Sequence, residues 1–101
     1  MNQIYQLHAD MCKTFANPIR LEILNLLRKG EMTVSDLIKK TKYSQVNISQ
    51  HLSVMKSKGI VLSERRGKNV YYRLSTPKIT KAFGIIREIL SERLKNDKKI
   101  G

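Results

Sequence analysis

Thr33 to Leu74 reads Thr33-Val34-Ser35-Asp36-Leu37-Ile38-Lys39-Lys40-Thr41-Lys42-Tyr43-Ser44-Gln45-Val46-Asn47-Ile48-Ser49-Gln50-His51-Leu52-Ser53-Val54-Met55-Lys56-Ser57-Lys58-Gly59-Ile60-Val61-Leu62-Ser63-Glu64-Arg65-Arg66-Gly67-Lys68-Asn69-Val70-Tyr71-Tyr72-Arg73-Leu74. Thr33 with Asp36 three residues on resembles a capping box, with Asp in place of the usual Glu or Gln. Val34, Leu37 and Ile38 then form the buried side of a short helix. Lys39 to Tyr43 make a turn, Ser44 caps a second helix, and Gly59 stops it. Ile60, Val61 and Leu62, then Val70, Tyr71 and Tyr72, favour two strands. Arg66-Gly67-Lys68-Asn69 lies between them as the turn. Helix, turn, helix and basic hairpin make the layout of a winged helix-turn-helix.

The second helix is read by angle, at ~100° per residue. Ile48, Leu52 and Met55 fall on one side and pack inward. Val46, Gln50, Ser53 and Ser57 fall opposite, with Asn47 and Ser49 on the flanks. This outer face is small, polar and almost uncharged, where a merely solvated helix carries Lys and Glu. Gln, Asn and Ser can hydrogen-bond base edges, and Val46 can meet a thymine methyl. The hairpin tip could be a solubility device on an exposed strand edge. Beside such a helix it reads instead as a backbone or minor-groove contact.

The charge is placed accordingly. The 101 residues carry a net charge of +12. Between Lys39 and Arg73 lie Lys39, Lys40, Lys42, Lys56, Lys58, Arg65, Arg66, Lys68 and Arg73, with Glu64 the one acid, so this segment holds +8 of the +12. Charge used only for solubility would be spread more evenly. Concentration on one unit suits a polyanionic partner, double-stranded DNA.

Outward from this unit, Ile4, Leu7, Met11 and Phe15 recur at helical spacing. Asn17-Pro18 gives an N-cap followed by proline at the first helical position. The next helix should bury Ile19, Ile23, Leu26 and Leu27, with Leu24 beside them, and Gly30 ends it. Thr76-Pro77 starts a last helix with Ile79, Phe83, Ile86, Leu90 and Leu94 in a stripe. Ile85 and Ile89 widen it beyond what a lone terminal helix needs, so a second copy of the chain is expected to cover it. The fold class is mainly α with a small β-hairpin wing, in the order α-α-α-α-β-β-α. Residues 1–95 read as one domain for DNA binding and dimerisation, and residues 96–101 as a flexible basic tail. No apolar run approaches the ~18–20 residues that span a bilayer. The N-terminus lacks signal-peptide character. The single cysteine fits a reducing interior. A cytoplasmic protein without a membrane partner is expected.

Phe15-Ala16-Asn17-Pro18-Ile19-Arg20-Leu21-Glu22-Ile23-Leu24, Ser44-Gln45 with Ile48-Ser49-Gln50-His51-Leu52, Gly59-Ile60-Val61 and Gly67-Lys68-Asn69-Val70-Tyr71-Tyr72-Arg73-Leu74 together resemble the ArsR/SmtB family of winged-helix repressors. The flanking helices fit as well, so the resemblance covers nearly the whole chain. It implies a homodimer joined through the first and last helices. It implies an imperfect palindromic operator, blocked until an inducer lowers DNA affinity. It assigns Ser44, Gln45, Asn47, Ser49 and Gln50 to the recognition helix and Arg65, Arg66 and Lys68 to the wing. Val46 and Ser53 join the DNA-binding set from the angular reading. The family's metal sites do not carry over. Its arsenic and cadmium sensors place cysteines in the segment that here reads Glu31 to Ile38, where Thr33, Ser35 and Ile38 stand instead. Its zinc, cobalt and nickel sensors use histidines and acids on the last helix, which here has Glu88 and Glu92 but no histidine. No metal and no cofactor are expected.

His8 and Cys12 share a face of the first helix, four residues apart. Two copies could supply four metal ligands, and Cys12 alone could be a redox or ligand sensor. A thiol packed structurally beside the Ile4–Leu7–Met11–Phe15 stripe is the plainer reading. His51 falls near the buried edge of its helix and is expected to be packed and hydrogen-bonded. An enzyme is not indicated, for want of a phosphate-cradling glycine loop, a zinc-ligand set or a nucleophile motif. A protein-interaction module leaves the wing charges unexplained. The alternative to a sequence-specific regulator is a nonspecific architectural nucleic-acid binder, which has no use for a neutral hydrogen-bonding helix face.

Overall fold

The computed structural model describes residues 3–100, and the side chains of residues 3–96. Its elements are α1 (Gln3–Phe15), α2 (Pro18–Leu27), α3 (Val34–Thr41), α4 (Gln45–Ser57), β1 (Val61–Arg66), β2 (Asn69–Leu74) and α5 (Lys78–Ile100). This is the expected order, a winged helix-turn-helix.

Local chemistry sets the helix starts. The Asn17 side-chain oxygen accepts from the N–H groups of Ile19 (2.9 Å) and Arg20 (3.1 Å), two donors with no partner inside α2, and Pro18 needs none. The capping box of α3 is complete. Asp36 N–H donates to Thr33 Oγ1 at 3.1 Å, and Thr33 N–H donates to the Asp36 carboxylate at 3.0 Å. Those bonds to Thr33, backbone first, hold the Asp36 carboxyl below its ordinary range. Ser44 Oγ accepts from Asn47 N–H at 3.2 Å and opens α4.

The turn between α3 and α4 is tighter than the sequence suggests. Helix α3 continues to Thr41, and Lys42 makes the reversal in the left-handed region at φ 69°. The wing differs in the same sense. Arg66 and Asn69 belong to the strands, which pair antiparallel from Val61↔Leu74 to Arg66↔Asn69. Only Gly67 and Lys68 form the loop. Gly67 takes φ 61°, as the first position of a two-residue hairpin loop requires. An isolated bridge between Met32 and Tyr72, with N–H···O distances of 3.0 and 2.8 Å, ties the base of the wing to the segment before α3.

The buried core joins Ile23, Leu24 and Leu27 of α2, Leu37 of α3, Ile48, Leu52 and Met55 of α4, and Ile60 and Val61 at the start of the wing. The inward side of α4 is therefore the one its angular pattern names. Ile19 and Leu26, expected inside, are half-buried against this core.

Helices α1 and α5 keep much of their apolar surface uncovered in the single chain. Ile4, Leu7 and Met11 are exposed in the single chain, and the one buried residue of α1 is Thr14. Helix α5 packs on the core through Ile79 and Phe83, and the Phe83 ring meets Phe15 edge to face at 4.8 Å between centroids. From Gly84 to Asn96 its residues are exposed. The helix runs on to Ile100, past residue 95, where the sequence reading placed the start of a tail; Gly101 lies outside the described residues. The radius of gyration of 15.7 Å reflects these projecting helices, since a compact chain of this length has ~13 Å. No helix among the described residues is long and apolar enough to cross a membrane.

Candidate nucleic-acid interface

Because Ile48, Leu52 and Met55 hold α4 against the core, its opposite face points outward. Val46, Gln50 and Ser53 are exposed there with Asn47 on its flank, and Val46 keeps 64% of its surface open; Gln45 is exposed at the first turn, in the angular sector of Leu52. Ser49 is half-buried at the flank, and Ser44 is exposed with its oxygen engaged as the cap. Most of the sequence-derived α4 set is thus brought together on one helix face, except that Ser44 has a structural duty, Gln45 lies at the first turn off that face, and Ser49 is partly withdrawn. Every exposed side chain in this set can donate or accept a hydrogen bond apart from Val46, and none is ionised.

Exposed cations lie on α4 and on the elements next to it, α3 with its following turn and the wing. Lys39, Lys40, Lys42, Lys56, Arg65, Lys68 and Arg73 are exposed, and none of them forms a salt bridge among the described residues. Lys58 and Arg66 differ. Lys58 Nζ lies 2.9 Å from the Asp10 carboxylate and links the end of α4 to α1. The Arg66 guanidinium forks onto both carboxylate oxygens of Glu31, donates to Glu64 at 3.0 Å, and lies 4.9 Å from the centre of the Tyr71 ring. Its bonds to Glu64 and Glu31 raise its pKa further above the ordinary arginine range, and it in turn holds Glu64 below the ordinary carboxylate range. Arg66 therefore serves the wing's attachment in the single chain, while Arg65 and Lys68 are exposed and form no salt bridge among the described residues. Nothing local in the sequence marks this, because Glu31 is 35 residues away.

A second long-range contact supports α4 from behind. Arg20 Nε donates to His51 Nδ1 at 3.1 Å, and the same guanidinium donates to the Thr14 carbonyl at 3.1 Å. One side chain thus joins the end of α1, the start of α2 and the middle of α4. Burial, and then the nearby Arg20 charge, lower the His51 pKa and favour the neutral ring that can accept this bond. His51 is packed and hydrogen-bonded, as its position suggests. Tyr43 makes a similar tie, its hydroxyl donating to Glu22 at 2.7 Å. The bond to Glu22 raises the Tyr43 pKa.

Cys12 is exposed, contrary to a thiol packed within its own chain, and His8 is exposed beside it. Among the described residues no three His, Cys, Asp or Glu side chains gather as metal ligands would.

Residues 17–63 match the family described as "Bacterial regulatory protein, arsR family". Transcriptional repressor PagR of Bacillus anthracis is 38% identical over 80 residues, covering 78% of this chain and 77% of PagR. The crystal structure of Rv0081 of Mycobacterium tuberculosis superposes with a TM-score of 0.86 at 30% identity, covering 95% of this chain and 97% of that one. The solution structure of the homodimeric winged helix-turn-helix DNA-binding domain of Mb0332 from Mycobacterium bovis gives a TM-score of 0.82 at 30% identity, covering 92% and 86%. With its matched motif, its relatives and its fold, the chain belongs to the arsR family of bacterial regulatory proteins, winged helix-turn-helix transcriptional regulators that bind DNA and are not enzymes.

Proposed function

We propose that the chain is a sequence-specific repressor that binds a palindromic operator as a homodimer, in the cytoplasm and without a metal cofactor. The observation that carries this reading is the exposed, uncharged face of α4. Gln45, Asn47, Gln50 and Ser53 read base edges in the major groove, and Val46 meets a thymine methyl. Ser44 and Ser49 lie at the margins of this contact. Arg65 and Lys68 at the wing, with the lysines of α3, neutralise phosphates and make affinity salt-dependent. Two copies paired through α1 and α5 set half-sites about one helical turn, or a multiple, apart. PagR is named a repressor and Mb0332 is described as homodimeric, which supports both parts of the reading. One domain, residues 1–95, holds both surfaces.

The test is fluorescence-anisotropy binding to DNA upstream of the chain's own gene against shuffled DNA of the same composition, under reducing conditions at about 0.15 M salt. A sequence-specific regulator favours its site by ~10³ or more. If the two bind equally, selection from random sequence decides: an enriched palindrome places the operator elsewhere, and no enrichment establishes a nonspecific architectural binder.

A further inference from the structure

Arg28 at the end of α2 and Arg87 on α5 converge on one neutral oxygen. Arg28 Nε donates to Asn25 Oδ1 at 2.8 Å, and an Arg87 guanidinium nitrogen donates to the same oxygen at 3.0 Å. Two like charges therefore sit within roughly 6 Å of each other, which is unfavourable unless an anion joins them. Among the described residues neither arginine has a salt-bridge partner. Glu31, beyond Arg28 along the chain, is engaged by Arg66. An amide oxygen is a weaker acceptor for a guanidinium than a carboxylate, which can take both forks.

The two arginines stand at the edge of a groove of about 250 Å³ between α2 and α5. Leu24, Ile79 and Phe83 give it an apolar wall, Thr80 adds a hydroxyl, and no carboxylate lines it. Gly84 leaves the α5 side without a side chain, and the space beyond it is open. A glycine in a helix interior is locally unfavourable compared with alanine. Neither the reading helix nor the wing contributes to this groove, so contact with DNA does not account for its charge. Arg28 and Arg87 are both exposed, so the groove is open in the single chain.

We propose that this groove binds a small organic acid, its carboxylate held between Arg28 and Arg87 and its carbon body against Ile79 and Phe83. The volume lies just below the usual range for drug-sized ligand sites and fits a body of about one ring. Inorganic anions satisfy the charges but leave the apolar wall bare. The site does not depend on the reading of α4 as a base-contacting helix, and its test involves no DNA.

The probe is benzoate, titrated into the isotopically labelled full chain at fixed ionic strength, with benzamide as the neutral control. Nuclear magnetic resonance follows the backbone amides and the arginine Nε groups. The expected result is saturable shifts at Asn25, Arg28, Thr80, Gly84 and Arg87 with benzoate and none with benzamide. Arg87→Gln and Arg28→Gln should each weaken binding by about tenfold or more, consistent with loss of one charge-assisted fork. Unchanged amide dispersion in each variant certifies its fold. Equal shifts with benzamide, unsaturable shifts spread over the basic surface, no shifts at all, or undiminished binding in both variants would each overturn the proposal.

Discussion

Gln50 and Lys68 are both exposed, yet they call for opposite signatures on DNA. Gln50 lies on the neutral face of α4, where its amide can pair with a base edge. Gln50→Ala should cost about 1–3 kcal/mol on the operator, little on random DNA, and relax preference at one base position. Lys68 sits in the two-residue wing loop with no internal salt bridge among the described residues. Lys68→Ala should weaken all DNA about equally and lower the slope of log K against log salt by ~1. Equal losses for Gln50→Ala on operator and random DNA would remove it from base reading. His51 makes a prediction in pH. Its folded pKa lies below the ordinary value of 6.5 because burial, and then Arg20, oppose the charged ring. Its contribution is therefore full above that value and is lost as the pH falls through the lower folded pKa. Neutral His51 accepts from Arg20, and a protonated ring cannot. The melting temperature should decline on acidification through this window. His51→Asn, which offers an oxygen near the Nδ1 position and does not titrate, should remove that part of the decline. Superimposable profiles for the two proteins would refute this account.

A two-stranded hairpin alone is marginal in water, so the wing's position depends on what fastens it. Val61, Tyr72 and Leu74 pack its base on the core, and two polar contacts add to this, the Met32–Tyr72 bridge at its base and the Arg66–Glu31 fork near its tip. Two carboxylates already surround the Arg66 charge, which leaves little of it for a phosphate. Arg66→Ala should therefore weaken operator binding with a smaller change in salt slope than Lys68→Ala. Glu31→Gln should weaken binding as well, although it removes a negative charge from a DNA-binding protein. A purely electrostatic role for Arg66 would instead give a full loss of slope in Arg66→Ala and tighter binding in Glu31→Gln. The sequence shows the wing but not its fastening. Strands, glycine loop and cap residues are legible because their signals lie within a few positions, as with Asn17-Pro18, Thr33 to Asp36, and Ser44. The inward side of α4 is legible because Ile48, Leu52 and Met55 share one angular sector. Arg66–Glu31, Arg20–His51 and Arg87–Asn25 span 35, 31 and 62 residues, and only the assembled fold brings them together. Lys42 marks another limit, since a left-handed lysine ending α3 has no local signature of the kind glycine gives.

At the scale of the whole molecule, the exposed apolar surface is unevenly placed. Of the twelve exposed large hydrophobic residues among the described residues, nine lie on α1 and α5: Ile4, Tyr5, Leu7 and Met11, then Ile85, Ile86, Ile89, Leu90 and Leu94. A stripe on α5 wider than its own chain covers was legible in its spacing, and the structure leaves that stripe uncovered beyond Phe83. The exposure of the α1 residues was not legible, because helical spacing alone does not say which face finds a partner within the chain. Clustered apolar surface of this kind marks an interaction site. Under the homodimer reading, a second copy buries it and fixes the separation of two α4 helices. Ile89→Glu puts like charges into that contact from both copies, while leaving Ile79 and Phe83 free to seat α5 on its own core. The variant should run near the 11.7 kDa of one chain in light scattering, where the parent runs at twice that mass. It should also lose about 100-fold or more in operator affinity, because the second half-site no longer benefits from the effective concentration that pairing provides. A monomer that keeps full operator affinity would show that reading DNA does not need the pair, and a variant that stays dimeric would place the contact on another face.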